Sequence, residues 1–248
     1  MLGYSVTLDP DKAIKEHFAL DTDGEQPPLV FACLNPHSLV EARANPSFSK
    51  SLSDAHVLAA AGIGITGAAR LLGLPPPARF TGSACFETVC NLAKPNNRLR
   101  VFLLGSTDEV LEKLAAYYQR RYPDIDVVGV YSPPFIKDIN EWDATDAVDI
   151  INASNADVLW VSMTAPKQEL WVHSHFADLN VKFIGSIGAV FDFYAGTVQR
   201  PGKLWQVLGL EWLGRLIKEP KRLWRRTFLS GAQFIWLLAQ ARLGSKGR

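Results

Sequence analysis

The chain has 248 residues, 48% hydrophobic and 21% charged, and a net charge of +1. That is enough for one large core, or for a core with an appendage. No apolar run reaches the roughly 18 residues needed to span a bilayer; the longest, Thr227 to Ala239, is interrupted by Ser230, Gly231 and Gln233.

The first residues, Met1-Leu2-Gly3-Tyr4, lack the charged start and apolar stretch of a signal peptide, so a cytoplasmic location is expected. Leu29 to Leu34 reads as a buried strand that ends in Asn35-Pro36-His37-Ser38 and leads into a helical Leu39-Val40-Glu41-Ala42. An apolar segment runs from Val57 to Ile65, with Gly62 and Gly64 inside it. Leu99 to Leu104 is a third strand, and Gly105-Ser106-Thr107-Asp108 opens a helix over Glu109 to Tyr118. Strands follow at Asp126 to Val130, at Asp157 to Met163 after a helix over Trp142 to Ser154, and at Lys182 to Ile187 before Gly188-Ala189. This alternation predicts a mostly parallel α/β sheet covered on both faces. Near residue 200 the pattern changes to tryptophan-rich basic helices, which divides the chain into a core of 1–199 and an appendage of 200–248. Cys33, Cys85 and Cys90 lack metal-ligand spacing and read as reduced, buried small hydrophobes, and no metal site is expected.

The appendage is charged unlike the rest. Arg215 to Arg248 hold nine Lys/Arg and one acid, Glu219, so this segment carries +8 and the remainder about −7. Such asymmetry points to an acidic partner, a membrane surface or a nucleic acid. Helical angles counted from Pro220 place Trp224, Phe228, Gly231, Ile235 and Leu238 on one face, and Arg222, Arg226 and Gln233 opposite. A basic face, an apolar face and tryptophans (Trp224 and Trp236) suit a helix lying in the headgroups of an anionic bilayer. There each Lys/Arg is worth about 1 kcal/mol. The alternative is an amphipathic helix packed on its own domain or on a second copy. Stacking of the aromatics on nucleic-acid bases is disfavoured by the apolar face and the acidic remainder.

Ligands of open α/β sheets sit beyond the carboxyl ends of the strands, here Asn35-Pro36-His37, Gly105 to Asp108, Thr164 to Glu169 and Gly188 to Asp192. The helix start after Gly105 offers backbone N–H groups to a phosphate. Gly62-Ile63-Gly64-Ile65-Thr66-Gly67 lacks a clear preceding strand and an acid for a ribose, and no Walker pattern exists, so neither nicotinamide nor P-loop chemistry is supported. At the turn before Trp171, Lys167 supplies a cation for phosphate and Gln168 an amide for a base edge; the same residues also suit a plain helix start, with Glu169 near the dipole.

Five segments occur together: Leu34-Asn35-Pro36-His37; Thr81-Gly82-Ser83; Ala165-Pro166-Lys167-Gln168-Glu169; Gly188-Ala189-Val190-Phe191-Asp192 with Arg200-Pro201; and Gly209-Leu210-Glu211-Trp212 with Arg215-Leu216, Glu219-Pro220 and Arg222. In this order the chain resembles the WecG/TagA/CpsF family of bacterial glycosyltransferases from about residue 28 to about 230. The resemblance implies a Rossmann-like α/β/α sandwich. It also implies an inverting, metal-independent transfer, without a cofactor, from a UDP-sugar to a polyprenyl-diphosphate-linked saccharide. The reaction would take place at the inner face of the cytoplasmic membrane, in surface polysaccharide assembly. Asn35, Gln168 and Asp192 match positions that line the nucleotide-sugar pocket, with Gly62, Gly64, Gly105, Lys167 and Glu169 around them. Arg215, Arg222 and Arg225 would neutralise the diphosphate. Trp224, Arg226, Phe228 and Trp236 would meet the membrane. Oligomeric state is open, a homo-oligomer included.

The chain departs from the family's pattern at its acids. Ala61 stands where the resemblance expects the general base, Ala84 where it expects a second Asp, and Ser162 and Thr164 where it expects glycines. Three readings fit: an engineered inactive variant, a branch using another base (His37, Glu41 or Asp192), and an inactive relative that binds or scaffolds without transfer. The further departures weaken the first; the second is favoured, with His37, a competent base near pH 7, as the substitute.

Overall fold

The computed structural model describes the chain apart from residues 21–25, 203, 206–208, 219 and 246–248, and apart from the side chains of 215, 222, 223, 225, 226, 244 and 245. Six strands form one sheet: β1 (Leu29–Leu34), β2 (Val57–Ala60), β3 (Leu99–Gly105), β4 (Ile125–Tyr131), β5 (Val158–Ser162) and β6 (Phe183–Ser186). Their order is β2-β1-β6-β5-β3-β4, and every adjacent pair is parallel. Parallel strands need crossovers, and here helices supply them. The helices are α1 (Pro10–Leu20), α2 (Pro36–Ala44), α3 (Pro46–Ser53), α4 (Ile63–Leu71), α5 (Gly82–Cys90), α6 (Asp108–Arg121), α7 (Thr145–Ala153), α8 (Lys167–His175), α9 (Val190–Ala195), α10 (Glu211–Lys218) and α11 (Pro220–Ser245), of which α2 to α8 lie in the crossovers. The expected Rossmann-like sandwich is the fold found.

Strand alternation builds two cores. Val101 and Leu103 of β3 pack with Phe31, Phe86, Tyr118 and Trp160 under α5 and α6. Phe102 and Leu104 point to the other face, with Leu159, Val161 and Trp171. Next to that second cluster lies a third, with Leu34, Leu39, Phe48, Leu58 and Ile65.

The boundaries differ from expectation at three places. The apolar run Val57 to Ile65 is a strand ending at Ala60 and a helix beginning at Ile63. Gly62 therefore does follow a strand, contrary to the expectation, but α4 leads into α5 instead of a second strand, so the βαβ unit of a dinucleotide fingerprint is not built here. The helix expected from Trp142 begins at Thr145, because the Asp143 carboxylate accepts the Thr145 N–H and hydroxyl at 3.1 and 2.7 Å. Helices α1, α3, α5 and α9 have no counterpart among the expected elements.

The expected apolar face of α11 divides: Leu238 packs, while Trp224, Phe228 and Ile235, expected to meet a membrane, are exposed. Phe234, Leu237 and Leu238 join the cluster of Tyr4, Leu39, Ala42 and Ile65, and Ser230 is buried beside them. Phe228 and Ile235 of the expected face are 63% and 68% exposed. Angle counting finds the apolar residues of a helix, but the slot it meets decides which stripe is covered, and α11 is apolar on more than one. This packing crosses the division proposed at 199/200. Replacing Leu237 by Ala should lower the unfolding free energy by about 2–4 kcal/mol in one cooperative urea transition, followed by tryptophan fluorescence and circular dichroism. Two separated transitions, only one of them shifted, would contradict a shared core.

Candidate active site

All six strands end on one side of the molecule, so their exit turns share an edge. The chain leaves β3 toward β4 and leaves β5 in the opposite direction, toward β6. The crevice of an open α/β sheet forms at such a reversal. Its walls are Gly105 (φ 106°) with Ser106, and Ser162 with Met163. A Cβ on Gly105 would lie 2.3 Å from the Ser162 carbonyl oxygen, so only glycine lets these two exits approach so closely. The loop after β4 covers one end: Ser132 donates to the Ser106 carbonyl at 2.9 Å. Lys167 Nζ donates to the Ile136 carbonyl and lies 5.3 Å from the centre of the Phe135 ring. The Lys167 ammonium is thus held at the mouth of the crevice.

The two residues after it turn inward. Gln168 and Glu169 are 5% and 4% exposed. Gln168 Oε1 accepts from Met163 N–H at 3.3 Å, and its Nε2 donates to Glu169 Oε1 at 2.8 Å. Gln168 therefore forms part of the floor, beside the Gly188 turn that Ser162 Oγ holds through the Gly188 carbonyl at 2.6 Å. That turn opens α9, whose Asp192 accepts from the Thr197 hydroxyl at 3.2 Å.

At the β1 and β2 exits, Asn35 caps α2. Its Oδ1 accepts from the His37 and Ser38 N–H groups at 3.0 Å each, and Ser38 Oγ returns to the Asn35 backbone, a reciprocal capping box. One face of Asn35 is thus structural; its Nδ2 hydrogens make no bond among the described residues. Ala61 N–H donates to the Leu34 carbonyl at 2.9 Å, which sets Ala61 beside Asn35. Gly62 (φ 123°) starts α4 without a side-chain cap. A Cβ on Gly64 would sit 2.5 Å from Pro36 Cγ, so this glycine lets the first turns of α2 and α4 touch. Ala84 packs against the core around Phe86 and supplies no charge.

The C-terminal helices reach the same turns. His37 Nδ1 and Ser230 Oγ of α11 are 2.8 Å apart, and Glu41 lies 3.9 Å from the same nitrogen. Gly209 backs onto Ile63, the first residue of α4. Arg200 pairs with both carboxylate oxygens of Glu211, at 3.1 and 3.4 Å, and so ties α10 to the segment after α9. The backbone of 215, 222 and 225 lies on α10 and α11, but the side chains of Arg215, Arg222, Arg225 and Arg226 fall outside the described residues. Trp224, Phe228 and Trp236 are 46%, 63% and 60% exposed. The His37–Ser230 contact and the Ser162–Gly188 bond escaped sequence reasoning. Ser230 among apolar neighbours was the one available signal.

A model of the glycosyl transferase WecG/TagA/CpsF family matches residues 1–248. The chain belongs to this family. Among its relatives, the N-acetylglucosaminyldiphosphoundecaprenol N-acetyl-beta-D-mannosaminyltransferase of Bacillus spizizenii (strain W23) is 31% identical over 192 residues, 77% of this chain and 72% of the relative. The proteins of the same name from Staphylococcus aureus strains MRSA252 and MW2 are 27% and 26% identical over 197 residues, 79% of this chain and 75% of each relative.

In this family member two thiols are held in the neutral form. Burial pushes Cys33 up to about 12 from the ordinary 9.0, with the Glu169 carboxylate adding to the effect, and burial pushes Cys90 up to about 12 as well. Both thiols stay protonated in the folded chain while the unfolded chain ionises near pH 9, so stability is full below pH 9 and falls as pH rises toward 12. Each should remove about 2 kcal/mol by pH 10.5. Urea midpoints at pH 8 and 10.5 check this, and Cys33→Ala should show the shallower fall.

Proposed function

We propose that this chain is an inverting glycosyltransferase that moves an N-acetylhexosamine, N-acetylmannosamine in the first instance, from a UDP-sugar to a polyprenyl-diphosphate-linked N-acetylglucosamine. The family match over residues 1–248 carries the reading, joined to relatives whose names give that donor sugar and acceptor. Their names also specify a β product, and a β bond made from an α-linked nucleotide sugar requires inversion. The strand-end crevice is the donor site. Asn35 Nδ2 and Asp192 face sugar and ribose hydroxyls, and the N–H groups opening α6, with Lys167 at the mouth, face the diphosphate. Arg215, Arg222 and Arg225 offset the charge that develops on the leaving UDP, in place of a metal or cofactor.

Single displacement needs a base on the acceptor hydroxyl, and Ala61 cannot serve. His37 takes that role in this reading: it stands at the first turn of α2, its Nδ1 2.8 Å from Ser230 Oγ, and an imidazole is a competent base near neutral pH. The alternative, a catalytically impaired member that binds or scaffolds an assembly complex, is favoured by Ala61 itself.

The exposed side of α11 meets the anionic inner face of the cytoplasmic membrane. Among the described residues no helix is long and apolar enough to cross it. Trp224, Phe228, Leu229, Ile235, Trp236 and Leu243 are all exposed along this helix, next to the basic residues of its first turns.

UDP release with a lipid-linked acceptor tests the chemistry. The chain as it stands should turn over, His37→Ala should lower kcat by about 10²–10⁴-fold, and activity seen only in Ala61→Asp would instead establish the impaired form. Flotation with anionic vesicles tests the surface. Replacing Phe228 and Trp236 together by Ser should weaken flotation, in a salt-sensitive manner, and leave UDP affinity unchanged.

A further inference from the structure

We propose that Glu169 is a positioning residue whose carboxylate fixes the orientation of the Gln168 amide under the Gly188 turn. This rests on the reading of the crevice as a nucleotide-sugar site and adds the residue that holds its floor. An amide side chain fits its space in two orientations related by a half-turn, with donors and acceptors exchanged. In the one found, Gln168 Oε1 faces Met163 N–H at 3.3 Å and Nε2 faces Glu169 Oε1 at 2.8 Å. The half-turn would set N–H against N–H and carbonyl against carboxylate, replacing two bonds with two repulsions. Both side chains are at least 95% buried, so water cannot make up the loss.

The clamp matters because of what rests on it. A Cβ on Gly188 would stand 3.7 Å from Gln168 Oε1 and 3.9 Å from Nε2, so the amide lies directly against that turn. Ser162 holds the same turn from the other side through the Gly188 carbonyl. The turn opens α9, and Asp192 stands in its first helical turn. Glu169, Gln168, Gly188 and Asp192 therefore form one connected run from the core to the crevice. A buried carboxylate costs more than an apolar residue of the same size, and orienting the amide accounts for its presence. Glu169 also lines a small cavity of about 20 Å³ shared with Ser51, His56 and Ser186.

The test uses the full chain with Glu169→Leu, which removes the acceptor, Glu169→Gln, which keeps an acceptor without the charge, and Glu169→Ala should the leucine fail to fold. Labelled glutamine side-chain amides are followed by NMR, the Gln168 signal being identified by its loss in Gln168→Ala. UDP affinity is measured by calorimetry. A slowly exchanging Gln168 Nε2 proton is expected in the native chain and in Glu169→Gln, and is lost in Glu169→Leu and Glu169→Ala. UDP affinity should fall about tenfold in Glu169→Leu and in Gln168→Ala, and no further in the double variant; Glu169→Gln should stay within about threefold. Unchanged affinity and an unchanged amide signal in Glu169→Leu and Glu169→Ala would overturn the proposal, as would losses that multiply in the double variant. A native chain with the protected amide proton but no affinity for UDP would overturn the donor reading of the crevice and leave the hold of Glu169 on Gln168 in place.

Discussion

Helix α11 lies across α2, and the arrangement of the strand-end edge depends on that packing. Phe234, Leu237 and Leu238 enter the cluster formed by Leu39, Ala42 and Ile65. Burying side chains of this kind contributes about 1.5–3 kcal/mol each. The docking sets Ser230 against His37 at the first turn of α2. Gly209 against Ile63 and Arg200 against Glu211 secure the preceding segment to the same edge. The helices carrying Arg215, Arg222 and Arg225 are consequently held in a defined relation to the turns at Asn35 and Ala61.

A consequence is that α11 has two apolar sides with different duties. One is inside the core, and the other, with Phe228, Leu229, Ile235 and Trp236, faces outward. Under the proposed membrane reading, a force on the outer side acts directly on α2 and on His37. The exposed apolar side and the His37 contact then belong to the same helix.

The departures from the family's pattern have unequal structural weight. Ala61 sits beside Asn35 with its backbone bonded to Leu34, so only the side-chain chemistry is missing there. Ala84 is absorbed into the core near Phe86. Ser162, where the resemblance expects glycine, gains a bond to the Gly188 carbonyl and stiffens the turn before Asp192. A lost acid and an added hydroxyl thus fall on opposite ends of the same crevice edge.

Much of this was legible from residues alone. The run Leu29–Leu34 is apolar throughout because its strand is covered on both faces, and β1 begins and ends where the sequence says. The Lys167-Gln168-Glu169 segment, the Gly188 turn and the Glu211 segment announced the family, because each occupies a strand exit or a helix that closes one. Periodicity placed Trp224, Phe228 and Ile235 on one apolar face of α11, and they are exposed; it could not show that Phe234 and Leu237 pack beside Leu39 and Ile65, because the shape of α2 and α4 chooses the covered stripe. Spacing also could not tell that Gln168 turns into the floor while Lys167 stays at the mouth, because neighbouring residues at a helix start diverge by about 100°. The sequence by itself determined the parallel sheet, the family and the charge of the C-terminal helices, since composition and local pattern carry those. Only the tertiary structure decided that Ser230 meets His37, that Glu169 holds Gln168 and that Ser162 pins Gly188. Two of these pairs join residues 26 or more positions apart, and all three depend on which surfaces pack.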